Sequence, residues 1–442
     1  MKLDNHNELF QKLYSFQKET LLTIEKYLRS KTKKNALMKL PTGTGKTLII
    51  AYVGNYYKKY KNILIVSPSK GITDQLTEEL QKRIISKFEL KTSFKNVEKL
   101  YPSNIRDLLK TKKGTIYICT AKTINDIREN HFEDFKKLKE KISLVIFDEG
   151  HREPAKMWQQ TIQALNKKVI LFTATPLRND NNSFYLDNKF VYNYSFQRAI
   201  DENRIRSPRF IKYQGVNTLE EFLNEVVHLT KQIEEKNNAK IKTIIRFNNA
   251  IEILKAKDYL NKKDEKVTAI HDTFKTDIED GLFKNIPNPK VSPSTFWIHQ
   301  NKLIEGIDDN DFSLLAIYDS FNDVRSLIQQ VGRIIRKNDL VSESLVIYRG
   351  GSVDQEKLFK EYLNYESKLN EDKDLINFNY DDYFNKITSY LPNVMHTNNR
   401  FLEKINYLKS ELDEELIDNF RLPLQTNVFY IKDSLEEIDD YY

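Results

Sequence analysis

The sequence predicts an α/β chain built of two parallel-sheet domains in tandem, closed by a helical C-terminal extension. Three observations carry this expectation. Short, almost wholly apolar runs of strand type alternate with longer helical stretches over residues 36–172 and again over 243–348. That is the pattern of strands buried on both faces of a parallel sheet. A polar stretch around Asn179–Lys189 separates the two series, and 442 residues exceed what one ordinary core holds. The expected domains are residues 1–205, 206–350 and 351–442.

Leu9, Leu13, Phe16, Leu21, Ile24 and Leu28 recur at helical spacing, which predicts a helix over Leu9–Leu28 running into the basic loop Arg29–Lys34. Strands are expected at Ala36–Leu40, Ile63–Ser67, Thr115–Thr120, Leu144–Phe147 and Val169–Phe172. Helical patterns lie between them, for example Thr47–Tyr57 and Ile72–Phe88. After a junction near Asp201–Ser207, the second series reads Thr243–Phe247, Val267–Ile270, Thr295–His299, Leu314–Tyr318 and Ser344–Tyr348. Beyond Gly350-Gly351 the chain turns helical, Tyr-rich and acidic.

Composition excludes several classes. A lone cysteine, Cys119, rules out an intramolecular disulfide, a Cys-ligated zinc site and an iron–sulfur cluster. The N-terminus lacks an apolar core of signal type, and no apolar run approaches the ~20 residues that span a bilayer. The expectation is a cytoplasmic protein without a membrane partner. The net charge of +7 averages unlike parts: residues 351–442 hold 20 acidic and 10 basic residues, so residues 1–350 carry +17. An excess of that kind suits a phosphate backbone. The acidic tail fits a docked basic partner, a cover for the chain's own groove, or a plain solvated cap.

Chemistry concentrates at a few scarce glycines; Gly43, Gly45, Gly150, Gly306 and Gly332 are five of only 12. Leu40-Pro41-Thr42-Gly43-Thr44-Gly45-Lys46-Thr47 follows a strand pattern and opens an apolar helix, the setting of a phosphate-binding loop. Gly43 and Gly45 let backbone N–H groups wrap phosphate oxygens at a helix N-terminus, with Thr42 and Thr44 in the same turn. Lys46 supplies charge to the β- and γ-phosphates of ATP, and the Thr47 hydroxyl ligates Mg²⁺. Leu40 stands where the general pattern has its first glycine. Downstream, the apolar run Leu144–Phe147 delivers Asp148-Glu149-Gly150-His151 to its C-terminal end, where open α/β sheets build their sites. Asp148 would hold Mg²⁺ through water and Glu149 would act as general base on the attacking water.

Asp148-Glu149-Gly150-His151 resembles the DExH box of superfamily 2 helicases and translocases, and the remaining motifs of that family appear in order. Thr173-Ala174-Thr175-Pro176 is similar to the motif that couples ATP state to nucleic-acid binding. Leu303-Ile304-Glu305-Gly306-Ile307-Asp308 is similar to the fifth motif and Gln329-Gln330-Val331-Gly332-Arg333-Ile334-Ile335-Arg336 to the sixth. Gln17 sits where the family reads adenine. The resemblance spans residues 9–350 and is strongest to type I and type III restriction motor subunits and excision-repair helicase subunits; the sixth motif of DEAD-box RNA helicases begins with His instead. It implies two tandem RecA-like domains, ATP with Mg²⁺, and a nucleic-acid-stimulated ATPase.

The resemblance also assigns roles. Gly306 and Asp308 belong with the nucleotide, and Arg333 and Arg336 come from the second domain as arginine fingers, a contribution of about 10³–10⁵ in rate. Spaced three apart, the two arginines are expected on one helix face. His151, Thr173, Thr175 and Gln329 couple the sites by hydrogen bonds, with packing as the alternative for His151. Nucleic acid is placed at Pro68, Ser69, Thr120, Arg246 and Asn248, strand ends where hydroxyls, backbone N–H groups and Arg hold phosphates. Gln300 replaces the Thr of many relatives, and no Pro follows Asp308-Asp309. Met157-Trp158 fits base stacking or core packing. The sequence has no Pro-Asp…Glu-x-Lys nuclease constellation, so nuclease and specificity functions are expected on partner proteins. The implied function is an ATP-dependent helicase or translocase acting on DNA within a restriction, defence or repair system. An RNA helicase and a nucleotide-gated recruitment subunit are the alternatives.

Overall fold

The computed structural model describes residues 8–56, 62–84, 96–110, 114–150, 156–176, 184–304, 309–321, 323–351 and 353–376. The first sheet is made of β1 (Asn35–Lys39), β2 (Ile63–Ser67), β3 (Asn96–Lys99), β4 (Thr115–Thr120), β5 (Leu144–Phe147), β6 (Lys168–Thr173) and β7 (Leu186–Asn193). These run in the order β3-β4-β2-β5-β6-β1-β7, and every pairing is parallel. The second sheet comprises β8 (Pro208–Tyr213), β9 (Lys242–Arg246), β10 (Val267–Ile270), β11 (Leu282–Phe283), β12 (Phe296–His299), β13 (Phe312–Ile317) and β14 (Ser344–Arg349). Its order is β11-β10-β12-β9-β13-β14-β8, again all parallel. Two tandem parallel sheets with helical crossovers are the α/β architecture the sequence predicts.

The sheet order places the site. Strands β5, β6 and β1 are neighbours, so the carboxylate turn, the Thr-Ala-Thr segment and the phosphate loop leave the sheet side by side at its C-terminal edge. The middle of each of the three strands is apolar because both faces are covered; Ile146, Leu171 and Met38 are wholly buried.

Boundaries differ from expectation in three places. The N-terminal helix is split into Glu8–Gln11 and Ser15–Arg29, because the Gln17 side-chain oxygen accepts the Tyr14 N–H (3.0 Å) and starts a new helix there. The stretch read as a polar break ends in β7, from Leu186. Arg336 is not on the helix that carries Arg333: that helix, Val324–Ile334, stops at Ile335, and Arg336 pairs instead with Ile205 in an isolated antiparallel bridge. The acidic extension is described over the helix Gln355–Glu371 and the turn Lys373–Ile376; its remaining residues lie outside the described ones. Among the described residues no helix is long and apolar enough to cross a membrane.

Arg206, in the segment joining the sheets, pins the second one. Its guanidinium donates to the Ser313 hydroxyl and to the carbonyls of Phe312, Ile334, Val341 and Glu343, all within 2.6–3.0 Å. Burial pulls its pKa down to about 10, which leaves it charged at neutral pH. Arg206→Met strands these acceptors and is expected to cost on the order of 3 kcal/mol. Urea unfolding checks this, and a loss below about 1 kcal/mol contradicts it.

Candidate active site

A cleft of about 710 Å³ is lined by the phosphate loop together with Gln17, Asp148, Glu149, Arg333 and Arg336. Gly43 and Gly45 have φ of +85° and +86°, a region that penalises any side chain, so the loop needs glycine at both positions. The Thr44 hydroxyl donates to Pro41 O (2.7 Å) and closes the turn. Lys46 begins the helix Lys46–Tyr56, so Lys46 and Thr47 stand in its first turn, where free N–H groups and the helix dipole favour anions. The residues present therefore fit a nucleotide phosphate chain.

The carboxylates come from the neighbouring strand. The Asp148 N–H continues the ladder to Val66 O (3.0 Å), and the Asp148 carboxylate accepts the Glu149 N–H (3.1 Å). Glu149 takes φ +53°, uncommon for a residue with a side chain, and its carboxylate lies 3.7 Å from the Lys46 ammonium. Gln17 joins helix to loop: besides capping its own helix, its amide donates to Thr44 O at 3.2 Å. With one lone pair and one N–H of that amide engaged by the protein, its second N–H remains for a ligand.

The second sheet closes the site through the helix Val324–Ile334 and the residues after it. A Cβ built on Gly332 would meet Thr42 atoms at 3.0 Å, and one on Gly43 would lie 3.2 Å from Arg336 Cγ. Helix and loop thus touch, and Arg336 rests against the phosphate loop. Burial pushes the Arg336 pKa down to about 10, opposed by Glu79. Arg333 does something else: its Nε and Nη2 donate to Ile304 O at 3.0 and 2.6 Å, inside the fifth motif. Gln329 reaches the Thr175 hydroxyl at 3.5 Å, and Thr173 braces Thr175 through bonds of 3.0 and 3.1 Å. His151, Gly306 and Asp308 lie outside the described residues, as do the side chains of Met157 and Trp158.

The expected nucleic-acid contacts divide. Pro68, Ser69, Thr120 and Asn248 sit at C-terminal strand ends and are at least partly exposed. The Ser69 and Thr120 hydroxyls cap helices, accepting the N–H of Ile72 (3.4 Å) and Thr123 (3.1 Å). Gln300 donates to Asn248 O and pairs with His271 at 2.8 Å, so it braces the same surface. Arg246 departs from expectation. It is 7% exposed, its guanidinium donates to the Asp319 and Ser320 carbonyls, and it stacks over Phe321 at 4.4 Å. In this structure it props a loop instead of facing a groove. Sequence reasoning missed Tyr14 and Arg204, which line the cleft with the Arg204 guanidinium 3.7 Å from the Tyr14 ring centroid. No linear motif marks that pairing of residues far apart in the chain.

Two family models match in tandem: type III restriction enzyme, res subunit, over residues 10–178, and helicase conserved C-terminal domain over residues 220–338. Among solved structures the chain is similar to S. cerevisiae Dbp5 bound to RNA and ADP BeF3 (TM-score 0.52, 17% identity, 81% of this chain and 90% of that one). It is also similar to the ATP-dependent type ISP restriction-modification enzyme LlaBIII bound to DNA (TM-score 0.53, 14% identity, 84% of this chain and 29% of that one). A third likeness is the DUF1998 helicase MrfA bound to DNA (TM-score 0.55, 17% identity, 80% and 51%). At these identities the structural likeness speaks to the fold. No curated protein matches the sequence. The restriction-type first half, the helicase second half and the composite cleft between their motifs agree: the chain belongs to the superfamily 2 helicases and translocases, ATP-hydrolysing motors that act on nucleic acid.

Proposed function

We propose that this chain is an ATP-driven DNA translocase or helicase, the motor of a multi-subunit restriction, defence or repair system in the cytoplasm. The observation that carries the reading is the match of residues 10–178 to a restriction subunit, joined to a cleft that Arg336 completes from the second sheet. Residues 1–205 and 206–350 are the two motor domains. In the cleft, Gly43, Gly45 and the first turn of the helix bind the phosphates while Lys46 neutralises them. Tyr14 and Arg204 form a wall for the base, beside Gln17. Thr47 and Asp148 have the hard oxygen donors that suit Mg²⁺, which when bound would offset charge on the phosphates. Glu149 takes the proton of the attacking water, and Arg336 stabilises charge that develops on the γ-phosphate. Arg333 holds the fifth motif in place through Ile304.

Turnover depends on groups from both sheets, so the nucleotide works as a lever on their separation. The strand ends at Pro68, Ser69, Thr120 and Asn248 supply the nucleic-acid surface. The test is ATPase rate against single- and double-stranded DNA and RNA at fixed salt, combined with triplex displacement. DNA-stimulated turnover with displacement is the expected result. Stimulation by RNA alone would identify an RNA helicase, and stimulated hydrolysis without displacement would identify a nucleotide-gated recruitment subunit.

A further inference from the structure

The helix Gln355–Glu371 follows the last strand of the second sheet, yet it binds both halves of the motor. At its start, Asp354 caps the helix and takes the Tyr348 hydroxyl at 3.2 Å. Gln355, wholly buried, bonds the N–H and carbonyl of Phe321 at 3.2 and 3.3 Å, in the loop leading to the helix that carries Gln329 and Arg333. Phe359 marks the crossing point: its ring lies 5.0 Å from Phe210 of β8 and 5.4 Å from Phe196, which follows β7.

One turn on, the helix engages the first sheet at the two places that frame the nucleotide. The Tyr362 hydroxyl donates to Ala174 O at 3.2 Å, inside Thr173-Ala174-Thr175. Glu366 forms an ion pair with Lys39, the residue before Leu40 and the phosphate loop; the two side chains are 1% and 0% exposed. The other Glu366 oxygen accepts the Phe196 N–H at 2.6 Å, and Lys39 also donates to Tyr194 O at 3.2 Å. Lys39 and Thr173 are register partners on adjacent strands, so both contacts bear on one corner of the site.

A buried ion pair is a costly way to hold a helix. Apolar side chains of similar volume hold one at least as well, so the pair by itself is weak support for a stabilising role. What charge adds is a fixed position, because neither partner can slide away from the other without leaving a bare charge in the interior. Here the fixed position links a helix anchored in the second sheet to the strand that feeds the phosphate loop.

Building on the motor reading above, we infer that Glu366, acting through Lys39, and Tyr362, acting through Ala174, are positioning residues for nucleic-acid-stimulated ATP turnover. The helix Gln355–Glu371 is the strap that carries displacement of the second domain to the phosphate loop and the coupling segment. Neither residue lines the cleft. Their effect is on how far binding at one site resets geometry at the other.

The test uses the full chain and two variants. Tyr362→Phe removes a single hydroxyl and keeps the ring. The double variant K39M/E366Q removes both charges together, and Gln can still accept the Phe196 N–H; it avoids the stranded Lys39 charge that E366Q alone would create. For both, the ratio of DNA-stimulated to unstimulated kcat is expected to fall by at least ~5-fold. The KM for ATP should stay within about twofold and the melting temperature close to that of the parent chain. Stimulation equal to the parent in both variants overturns the inference and leaves the motor reading intact. A parallel loss of KM, kcat and melting temperature also overturns it, since a merely structural helix behaves that way. If the parent chain shows no stimulation by any nucleic acid, the motor reading itself fails and the strap falls with it.

Discussion

Glu149→Gln is expected to keep ATP bound without turning it over, whereas Lys46→Ala loses binding and turnover together. The two side chains lie 3.7 Å apart and are 13% and 14% exposed, so each shapes the field the other feels. The Lys46 ammonium is a positive charge within the first turn of a helix; on the proposed reading it meets the phosphates of ATP, and its removal should weaken ground-state and transition-state binding alike. Glu149 contributes differently. A carboxylate beside the γ-phosphate repels it in the ground state and helps only when water gives up its proton. Gln keeps the shape, cannot take the proton, and frees Lys46 from a competing anion. ATP affinity should therefore hold or rise while kcat falls by about 10²–10⁴. Radiolabelled ATP retention and single-turnover hydrolysis separate the two effects. Equal loss of ATP binding in both variants would remove Glu149 from the role of base.

The sequence made the centre of the fold plain and left its margins obscure. Among the described residues, all ten strands with a neighbour on each side were visible as apolar runs, from Ala36–Leu40 to Ser344–Tyr348, because burial on both faces removes the need for polar residues. The four not foreseen are β3, β7, β8 and β11, and each is the edge strand of its sheet. The run Pro208–Tyr213 has no fully buried residue, so neither an apolar run nor clean alternation betrays it. The site divides along a similar line. Gly43, Lys46 and Asp148, which the structure brings to one cleft, were legible as a group because each stands at a loop, helix start or strand end marked by its immediate neighbours in sequence. Those that work by long-range contact were not. Arg206 gives no local sign that it will gather five acceptors from one strand of the second sheet, a helix end and a loop, and Glu366 lies in what reads as an ordinary acidic helix. Arg246 misled for the same reason: a basic residue at a strand end looks exposed until Phe321 covers it.

Arg333→Ala and Arg336→Ala are expected to fail in different ways, although one motif contains both. Arg336 leaves the helix before it reaches the cleft, and its backbone is held by the bridge to Ile205 and by the Arg206 N–H on Ile335 O at 2.6 Å. The linker between the sheets therefore sets where this side chain starts, and its Cγ lies against Gly43 in the phosphate loop. Its pKa of about 10 lies far enough above neutrality that the charge persists through pH 6–9, so no pH dependence of turnover should trace to it. Arg336→Ala removes charge only where phosphoryl transfer develops it, which predicts a kcat lower by about 10³ with ATP affinity little changed. Arg336→Lys should recover little, since an ammonium cannot reproduce the guanidinium fork. Arg333 spends two of its donors on Ile304 O, so Arg333→Ala should loosen the fifth motif. Its loss should appear chiefly in nucleic-acid stimulation. Steady-state ATPase with and without DNA, beside a direct measure of ATP binding, resolves the pair. A collapse of unstimulated kcat in Arg333→Ala with Arg336→Ala near the parent rate would exchange the two assignments and make Arg333 the finger, with Ile304 O surrendering its guanidinium to the phosphate when ATP binds.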